Sequence, residues 1–136
     1  MYMKVFVSGQ LGEKAAVRRA YAKFRAAGFE VTHDWTRTDN IGDKLLEREE
    51  SGKRAALDIQ GVIDADVYVL MSDNREVGKG MYVELGAALA MQSRTGRPDV
   101  FIVGPLNHLS VFYLHPAVRL VESVDDVVSE LALLGQ

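Results

Sequence analysis

The stretch "DVYVLMSDNREVGKGMYVELGAALA", residues 66–90, contains one complete strand, loop and helix, and it decides the fold. Residues 66–71 are almost continuously apolar, which is typical of a strand buried on both faces of a parallel sheet. A polar loop with two glycines fills 72–80, and the apolar residues after it predict a helix from about Met81 to Ser93. The stretch therefore indicates an α/β protein in which strands alternate with helices.

The same alternation continues on both sides of this stretch. The remaining strands are predicted at 3–8, 29–35, 99–104 and 118–121, and the remaining helices at 13–27, 54–65 and 123–135, the last with Ser123 as its N-cap. The strongly charged residues 37–53 are predicted to form a surface segment. Five strands connected in this way predict a flavodoxin-like, doubly wound parallel sheet of order 2-1-3-4-5, with helices on both faces.

The amino-acid composition of the chain argues against several classes of function. The chain has 136 residues, 48% of them hydrophobic and 26% charged, which predicts one globular domain over 1–136. A net charge of −3 without a long basic run argues against binding a nucleic acid polymer. The absence of cysteine excludes disulfides, zinc-thiolate sites and cysteine nucleophiles. Because no apolar run is long enough to span a membrane and no secretory signal is recognisable, a cytoplasmic protein without membrane contacts is expected.

Two glycine-containing loops are expected to meet at one crevice. In the order 2-1-3-4-5 the switch point lies between the first and third strands, and ligands bind there at the carboxyl ends of the strands. Ser8 either anchors a phosphate or caps the first turn, and Lys79 either holds a phosphate or is a surface residue. The candidate ligand-binding residues in the two loops are Ser8, Gly9, Gln10, Gly78, Lys79 and Gly80.

Glu84 is the most unusual residue of the central stretch, because a carboxylate is costly to bury without a partner. One interpretation is that it complements the macrodipole from the first turn of its helix. The other is that it points into the crevice as an ionised, partly desolvated nucleophile for a sugar carbon. Asp58 stands in the middle of the preceding helix, where aspartate is a poor helix former, and is either a surface residue or part of the same site.

These motifs resemble those of a known family. "DIQGVIDADVYVLM" followed by "GKGMYVELGAALA", with 84 − 58 = 26 residues between the two acids, resembles the nucleoside 2-deoxyribosyltransferase superfamily, which includes deoxynucleoside monophosphate N-glycosidases. The resemblance implies that Glu84 attacks the anomeric carbon and that Asp58 contacts the base or assists its departure. It also implies that Gly9 and Gly80 let the backbone approach the ligand, and that no metal or organic cofactor is needed.

The resemblance further implies a homodimer or a higher homo-oligomer. A loop from a neighbouring subunit often completes the family's site, and the candidate here is "GPLNHLSVFYLHP", residues 104–116, with Asn107 in the site. His108, Ser110 and Tyr113 are also available in that loop. The expected partners are therefore a small nucleoside or nucleotide and further copies of the chain.

The chain departs from the family pattern at two positions. Phe6 stands where the family usually has a tyrosine whose hydroxyl touches the catalytic glutamate, and Gly78 stands where it often has an aspartate or a serine. Two functions therefore stay open: cleavage or transfer at an N-glycosidic bond, and a catalytically inactive sensor of nucleotides or nucleotide sugars. Trp35 either stacks on a base or closes the core. His33, His108 and His115 are too scattered in the sequence to propose a metal site.

Overall fold

A five-stranded sheet forms the centre of the computed structural model, which describes residues 3–37 and 47–134. The strands pair in the order β2-β1-β3-β4-β5, and every pair is parallel. This confirms the predicted fold class and strand order. The strands are β1 (Lys4–Ser8), β2 (Glu30–Val31), β3 (Val67–Met71), β4 (Asp99–Val103) and β5 (Val118–Val121).

Helices cover both faces of the sheet, because α1 packs with α4 and α2 packs with α3. The core lies between these layers, and residues 5–7 of β1 and 67–70 of β3 are completely buried. None of the helices within 3–37 and 47–134 has the length and apolar character that a membrane span requires. The helices are α1 (Lys14–Ala26), α2 (Arg48–Ile63), α3 (Lys79–Thr95) and α4 (Val124–Leu134).

The last helix begins as its sequence predicts. The Ser123 hydroxyl oxygen accepts a hydrogen bond from the backbone N–H of Asp126, at 3.1 Å. The Asp126 carboxylate accepts one in return from the Ser123 N–H, also at 3.1 Å. This reciprocal pair is a capping box, and it confirms Ser123 as the N-cap.

The second strand is much shorter than predicted. It ends at Val31, and residues 35–37 form a short 3-10 turn in place of the extended chain expected up to Trp35. Asp34 explains this turn, because its carboxylate accepts hydrogen bonds from the N–H and the hydroxyl of Thr36 at 3.0 and 2.5 Å. Such a local hydrogen bond competes with the backbone hydrogen bonds that would extend the strand.

Two helices begin earlier than predicted. The second begins at Arg48 instead of residue 54, so the end of the charged segment 37–53 is helical; residues 38–46 of that segment lie outside the described part. Acidic residues in the first turn of α2 favour this start, and Glu50 pairs with Arg54 one turn later at 3.1 Å. The third helix begins at Lys79 instead of Met81, so Gly80 lies within its first turn and does not delay its start.

Candidate active site

The two glycine-containing loops meet at the switch point, as the topology predicts. A Cβ placed on Gly78, in the loop between β3 and α3, would lie 3.2 Å from the Cα of Gln10, in the loop after β1. A serine or aspartate at position 78 would therefore push against the neighbouring loop. The side chain of Gln10 stays within its own loop, where its carbonyl oxygen accepts from the N–H of Gly12 at 2.6 Å.

The other glycines of these loops have different roles. A Cβ on Gly9 would lie 2.6 Å from a methyl group of Val17, so Gly9 allows α1 to pack closely on the end of β1. This packing is a structural reason for the glycine and differs from the ligand contact that the resemblance implies. At Gly80, in the first turn of α3, nothing lies within 4 Å of the Cβ position. Gly80 therefore leaves open space beside the crevice.

Glu84 is the sixth residue of α3, because that helix begins at Lys79. The field of a helix terminus falls off within the first turn, so the macrodipole interpretation loses its basis. The Glu84 side chain is only partly exposed, and its Oε1 accepts a hydrogen bond from the Ser8 hydroxyl at 2.6 Å. Ser8 ends β1 and is 0% exposed. Glu84 is thus held at the carboxyl edge of the sheet, at the switch point.

Burial raises the pKa of Glu84 to about 8. The hydrogen bond from Ser8 opposes this increase, and the nearby negative charge of Asp58 adds to it. At neutral pH most molecules of the free protein therefore carry a protonated Glu84. The sequence favours an ionised side chain at this position, whereas the raised pKa favours the protonated form near neutral pH.

Asp58 belongs to the same electrostatic site. Its side chain is 28% exposed on α2, and its Oδ1 lies 3.5 Å from Nε2 of His33, which is 26% exposed. Burial raises the pKa of Asp58, while His33 and Arg54 oppose that increase. The Asp58 charge also raises the pKa of Glu84, so an ionised Asp58 makes the ionisation of Glu84 less favourable.

Gly61 is the reason that α2 comes so close to the sheet. A Cβ on this residue would lie 2.8 Å from the ring of Phe6 and 3.0 Å from the Cβ of His33. The hydroxyl of Thr32 also donates to the backbone carbonyl of Gly61, at 2.7 Å. Since Asp58 is one helical turn before Gly61, this close approach brings its carboxylate towards the carboxyl ends of β1 and β3.

Sequence reasoning missed two contacts of the site, that of Tyr68 with Ser8 and that of His33 with Asp58. The Tyr68 hydroxyl donates to the hydroxyl oxygen of Ser8 at 2.6 Å, and Tyr68 is completely buried on β3. One signal was available, because a buried tyrosine needs a polar partner for its hydroxyl and the nearest strand ends in a serine. No sequence signal links His33 to Asp58, since their contact depends on how α2 packs.

Three predicted binding residues lie elsewhere or have other partners. Trp35 is only 8% exposed and donates from its ring N–H to the carbonyl of Val7 at 2.7 Å, which favours its core-closing role over base stacking. Lys79 is exposed. Ser8 contacts Glu84 and has no free surface for a phosphate.

A further predicted binding residue, Asn107, contacts its own subunit. Its amide donates to the Asp73 carboxylate at 3.1 Å and to the Asn74 carbonyl at 3.2 Å. In the same loop, Nε2 of His108 lies 3.2 Å from the Arg75 carbonyl. These bonds join the loop after β4 to the loop between β3 and α3 of the same subunit.

Comparison with known proteins finds a similar fold among the solved structures. No protein-family model matches the chain, and no curated protein matches it. Among solved structures, the CMP N-glycosidase BcmB of Clostridium botulinum matches with a TM-score of 0.56 and 15% sequence identity. The match covers 96% of this chain and 98% of that one. The two proteins therefore share a fold over nearly their whole lengths.

Proposed function

We propose that the protein breaks the N-glycosidic bond of a nucleoside or nucleotide, with Glu84 as the nucleophile and Asp58 as the residue that positions and protonates the leaving base. One observation carries this proposal: Ser8 holds the Glu84 carboxyl group at the switch point, within electrostatic range of the Asp58 carboxyl group. The shared fold with a CMP N-glycosidase supports the same class of reaction. Water is the acceptor in hydrolysis, and a second base is the acceptor in transfer.

The raised pKa values fit a mechanism with one shared proton. Near neutral pH the raised pKa of Glu84, about 8, favours keeping a proton in the site, and the charge of Asp58 contributes to that increase. In the reactive form the proton lies on Asp58, and Glu84 is a carboxylate. Burial also raises the pKa of Asp58, which makes it easier for this carboxyl group to carry the proton.

The reaction then proceeds in two balanced steps. A Glu84 oxygen forms a bond to the anomeric carbon while the carbon–nitrogen bond breaks, and the bonding electron pair leaves with the base, which takes the proton of Asp58. Water next attacks the same carbon, Glu84 leaves as a carboxylate, and Asp58 regains a proton from the water. In transfer, the incoming base replaces water and gives up its N–H proton to Asp58.

Phe6 and Gly78 do not argue against this activity. Phe6 lacks the hydroxyl that the family resemblance implies, but Tyr68 on the adjacent strand places its hydroxyl 2.6 Å from Ser8, the residue that contacts Glu84. At position 78 the neighbouring loop leaves little space for a larger residue. These contacts favour an enzyme over the inactive sensor.

The proposed function is tested by a panel of deoxynucleosides, ribonucleosides and their 5′-monophosphates. Each compound is incubated with the protein, and released base is quantified by liquid chromatography, with thermal stabilisation measured in parallel. Base release from at least one compound is expected. If a compound raises the melting temperature but no base appears, the protein is a binding module and the proposed activity is wrong.

We also propose that two or more copies of the chain associate through the loop after β4. This loop exposes four large apolar side chains, of which Val111 is 77% exposed. Its position is fixed by Tyr113, whose ring lies 5.9 Å from that of Tyr82 on α3. An exposed apolar group of this kind is typical of an interface between proteins. The four side chains are Leu109, Val111, Phe112 and Leu114.

We expect Phe112→Glu to shift the protein from an oligomer to a monomer, because a charge in an apolar interface loses its hydration without gaining a partner. Sedimentation velocity at several concentrations measures the change. Leu133→Glu is the matched control, because Leu133 is equally apolar and 71% exposed on α4. A wild-type protein that sediments as a monomer at all concentrations would contradict the proposal.

A further inference from the structure

Two buried hydroxyl groups, those of Tyr68 and Ser8, form a chain of hydrogen bonds that ends at Glu84. The Tyr68 hydroxyl donates to the Ser8 hydroxyl oxygen at 2.6 Å, and the Ser8 hydroxyl donates to Oε1 of Glu84 at 2.6 Å. Both Ser8 and Tyr68 are 0% exposed. The proposed reaction needs only the two carboxyl groups, so Ser8 and Tyr68 have no role in it so far.

The register of the sheet brings the two hydroxyl groups together. Tyr68 is opposite Phe6 in the pairing of β1 with β3, and Ser8 is two residues further along β1, on the same face of the sheet. The long tyrosine side chain covers that distance. Phe6 stacks on the Tyr68 ring with a centroid separation of 6.3 Å and an interplanar angle of 8°, which fixes the direction of the phenol.

The direction of the hydrogen bonds follows from proton counting. Each hydroxyl has one proton, so a Ser8 proton that is donated to Glu84 leaves the Ser8 oxygen as an acceptor for Tyr68. Burial raises the pKa of Tyr68 well above its ordinary value, and the Glu84 charge acts in the same direction, so the phenol keeps its proton. The other acceptor near Tyr68 is the Met81 carbonyl, at 3.3 Å.

We propose that Ser8 is a positioning residue that holds Oε1 of Glu84 and leaves Oε2 as the attacking oxygen, and that Tyr68 orients the Ser8 hydroxyl for this purpose. The inference rests on the proposed function, which it deepens. A hydrogen bond to the charged form of an acid favours that form, so Ser8 also increases the fraction of Glu84 that is ionised and reactive.

Other groups near Glu84 act in the opposite direction. Asp58 on α2 raises the Glu84 pKa, and its charge is partly balanced by His33, which follows β2, and by Arg54 on α2. Tyr21 on α1 is uncharged, because burial raises its pKa. Against this background Ser8 is the one contact, within the described residues, that lowers the pKa of Glu84.

The inference is tested with Ser8→Ala, Tyr68→Phe and the double variant. We expect Ser8→Ala to lower kcat by about 10- to 100-fold with little change in KM, because the lost contact acts on the attacking group and not on the bound substrate. Tyr68→Phe is expected to have a smaller effect in the same direction. Because Tyr68 acts through Ser8, the double variant is expected to be no worse than Ser8→Ala.

A titration that does not depend on activity separates this inference from the proposed function. The side-chain carboxyl carbon of Glu84 is followed by NMR against pH, and its signal is assigned as the one that Glu84→Gln removes. Ser8→Ala is expected to raise the Glu84 pKa by about one pH unit, and Tyr68→Phe by less. Tyr68→Phe keeps the ring and its packing on Phe6, so it also tests the inference if Ser8→Ala folds poorly.

Ser72→Ala is the matched control for the buried serine. Ser72 is also buried at the carboxyl end of its strand, but its hydroxyl contacts the carbonyls of Val103 and Pro105 at 2.8 and 2.7 Å, away from Glu84. Its removal is expected to leave the Glu84 titration unchanged. A Glu84 pKa that is the same in wild type and Ser8→Ala would overturn the inference, even if the enzyme is active. A missing activity together with a raised pKa would overturn the proposed function and the attacking role of Oε2, while the hold of Ser8 on Glu84 would stand.

Discussion

Glu84→Gln is expected to lower kcat for base release by at least about 10³-fold, because a neutral amide cannot form the glycosyl-enzyme bond. Glutamine has nearly the same shape, and its amide can still contact the Ser8 hydroxyl that lies 2.6 Å from the carboxylate. Binding of the substrate is therefore expected to persist. Base release is measured by chromatography, and binding is measured from ligand-induced thermal stabilisation.

Glu76→Gln is the matched control for this substitution. Glu76 is an exposed glutamate in the loop that precedes α3, so the same substitution is made outside the proposed site. We expect its kcat to equal that of the wild type. Undiminished base release by Glu84→Gln would remove the proposed mechanism, whereas an equal loss in both variants would indicate a general effect of charge.

The pH dependence of the reaction is expected to reverse when Asp58 is replaced. In the wild type, kcat/KM is expected to fall about tenfold per pH unit above about pH 8, because the last proton of the pair is then lost and the base leaves without one. In Asp58→Asn no side chain supplies that proton, and kcat/KM is expected to be lower by about 10²- to 10⁴-fold.

The sign of the remaining pH dependence follows from the charge that is removed. Without the negative charge of Asp58 the Glu84 pKa falls below its wild-type value, and only the ionised form reacts. The rate of Asp58→Asn is therefore expected to increase with pH until Glu84 is fully ionised, and then to level off. Initial rates between pH 5 and 9.5 show the difference, with circular dichroism to confirm that the variant stays folded.

A substrate with a better leaving group separates the two carboxyl groups further. A 4-nitrophenyl deoxyriboside releases nitrophenolate, which needs no proton to depart, so it is expected to restore much of the activity of Asp58→Asn. The same compound is not expected to rescue Glu84→Gln. If Asp58→Asn shows the same decline above pH 8 as the wild type, the shared proton is not delivered by Asp58 and its assigned role is wrong.

The raised pKa of Glu84 differs from what the surrounding sequence predicts. The sequence shows a glutamate beside glycines and apolar residues, and from this pattern a charged, partly desolvated group was expected. In the structure the burial is larger than the stabilising effect of one Ser8 hydrogen bond, so the neutral form prevails at neutral pH. The outcome depends on the balance of two opposing effects, which no local pattern reveals.

The hydrophobic pattern of the sequence also does not predict where β2 ends and where α2 begins. The second strand was predicted over 29–35 from its apolar and β-branched residues, yet Asp34 and Thr36 form a local hydrogen-bonded turn that ends it early. The start of α2 was placed six residues too late, because charged residues gave no apolar periodicity to detect. In both cases local polar interactions determined the boundary, and the hydrophobic pattern does not report them.

The sequence by itself determined the class of fold, the order of the strands and the edge of the sheet at which the two glycine-containing loops meet. Continuous apolar runs of this length indicate buried strands, and glycine-containing loops follow two of them. The handedness of parallel crossovers then leaves one arrangement, in which both loops meet. Only the tertiary structure decided that Ser8 and Tyr68 contact Glu84, that His33 pairs with Asp58, and that Trp35 belongs to the core. These contacts join residues that are distant in the chain, and they depend on distances of a few ångströms that are set by strand register and by the close packing of Gly61 against β1.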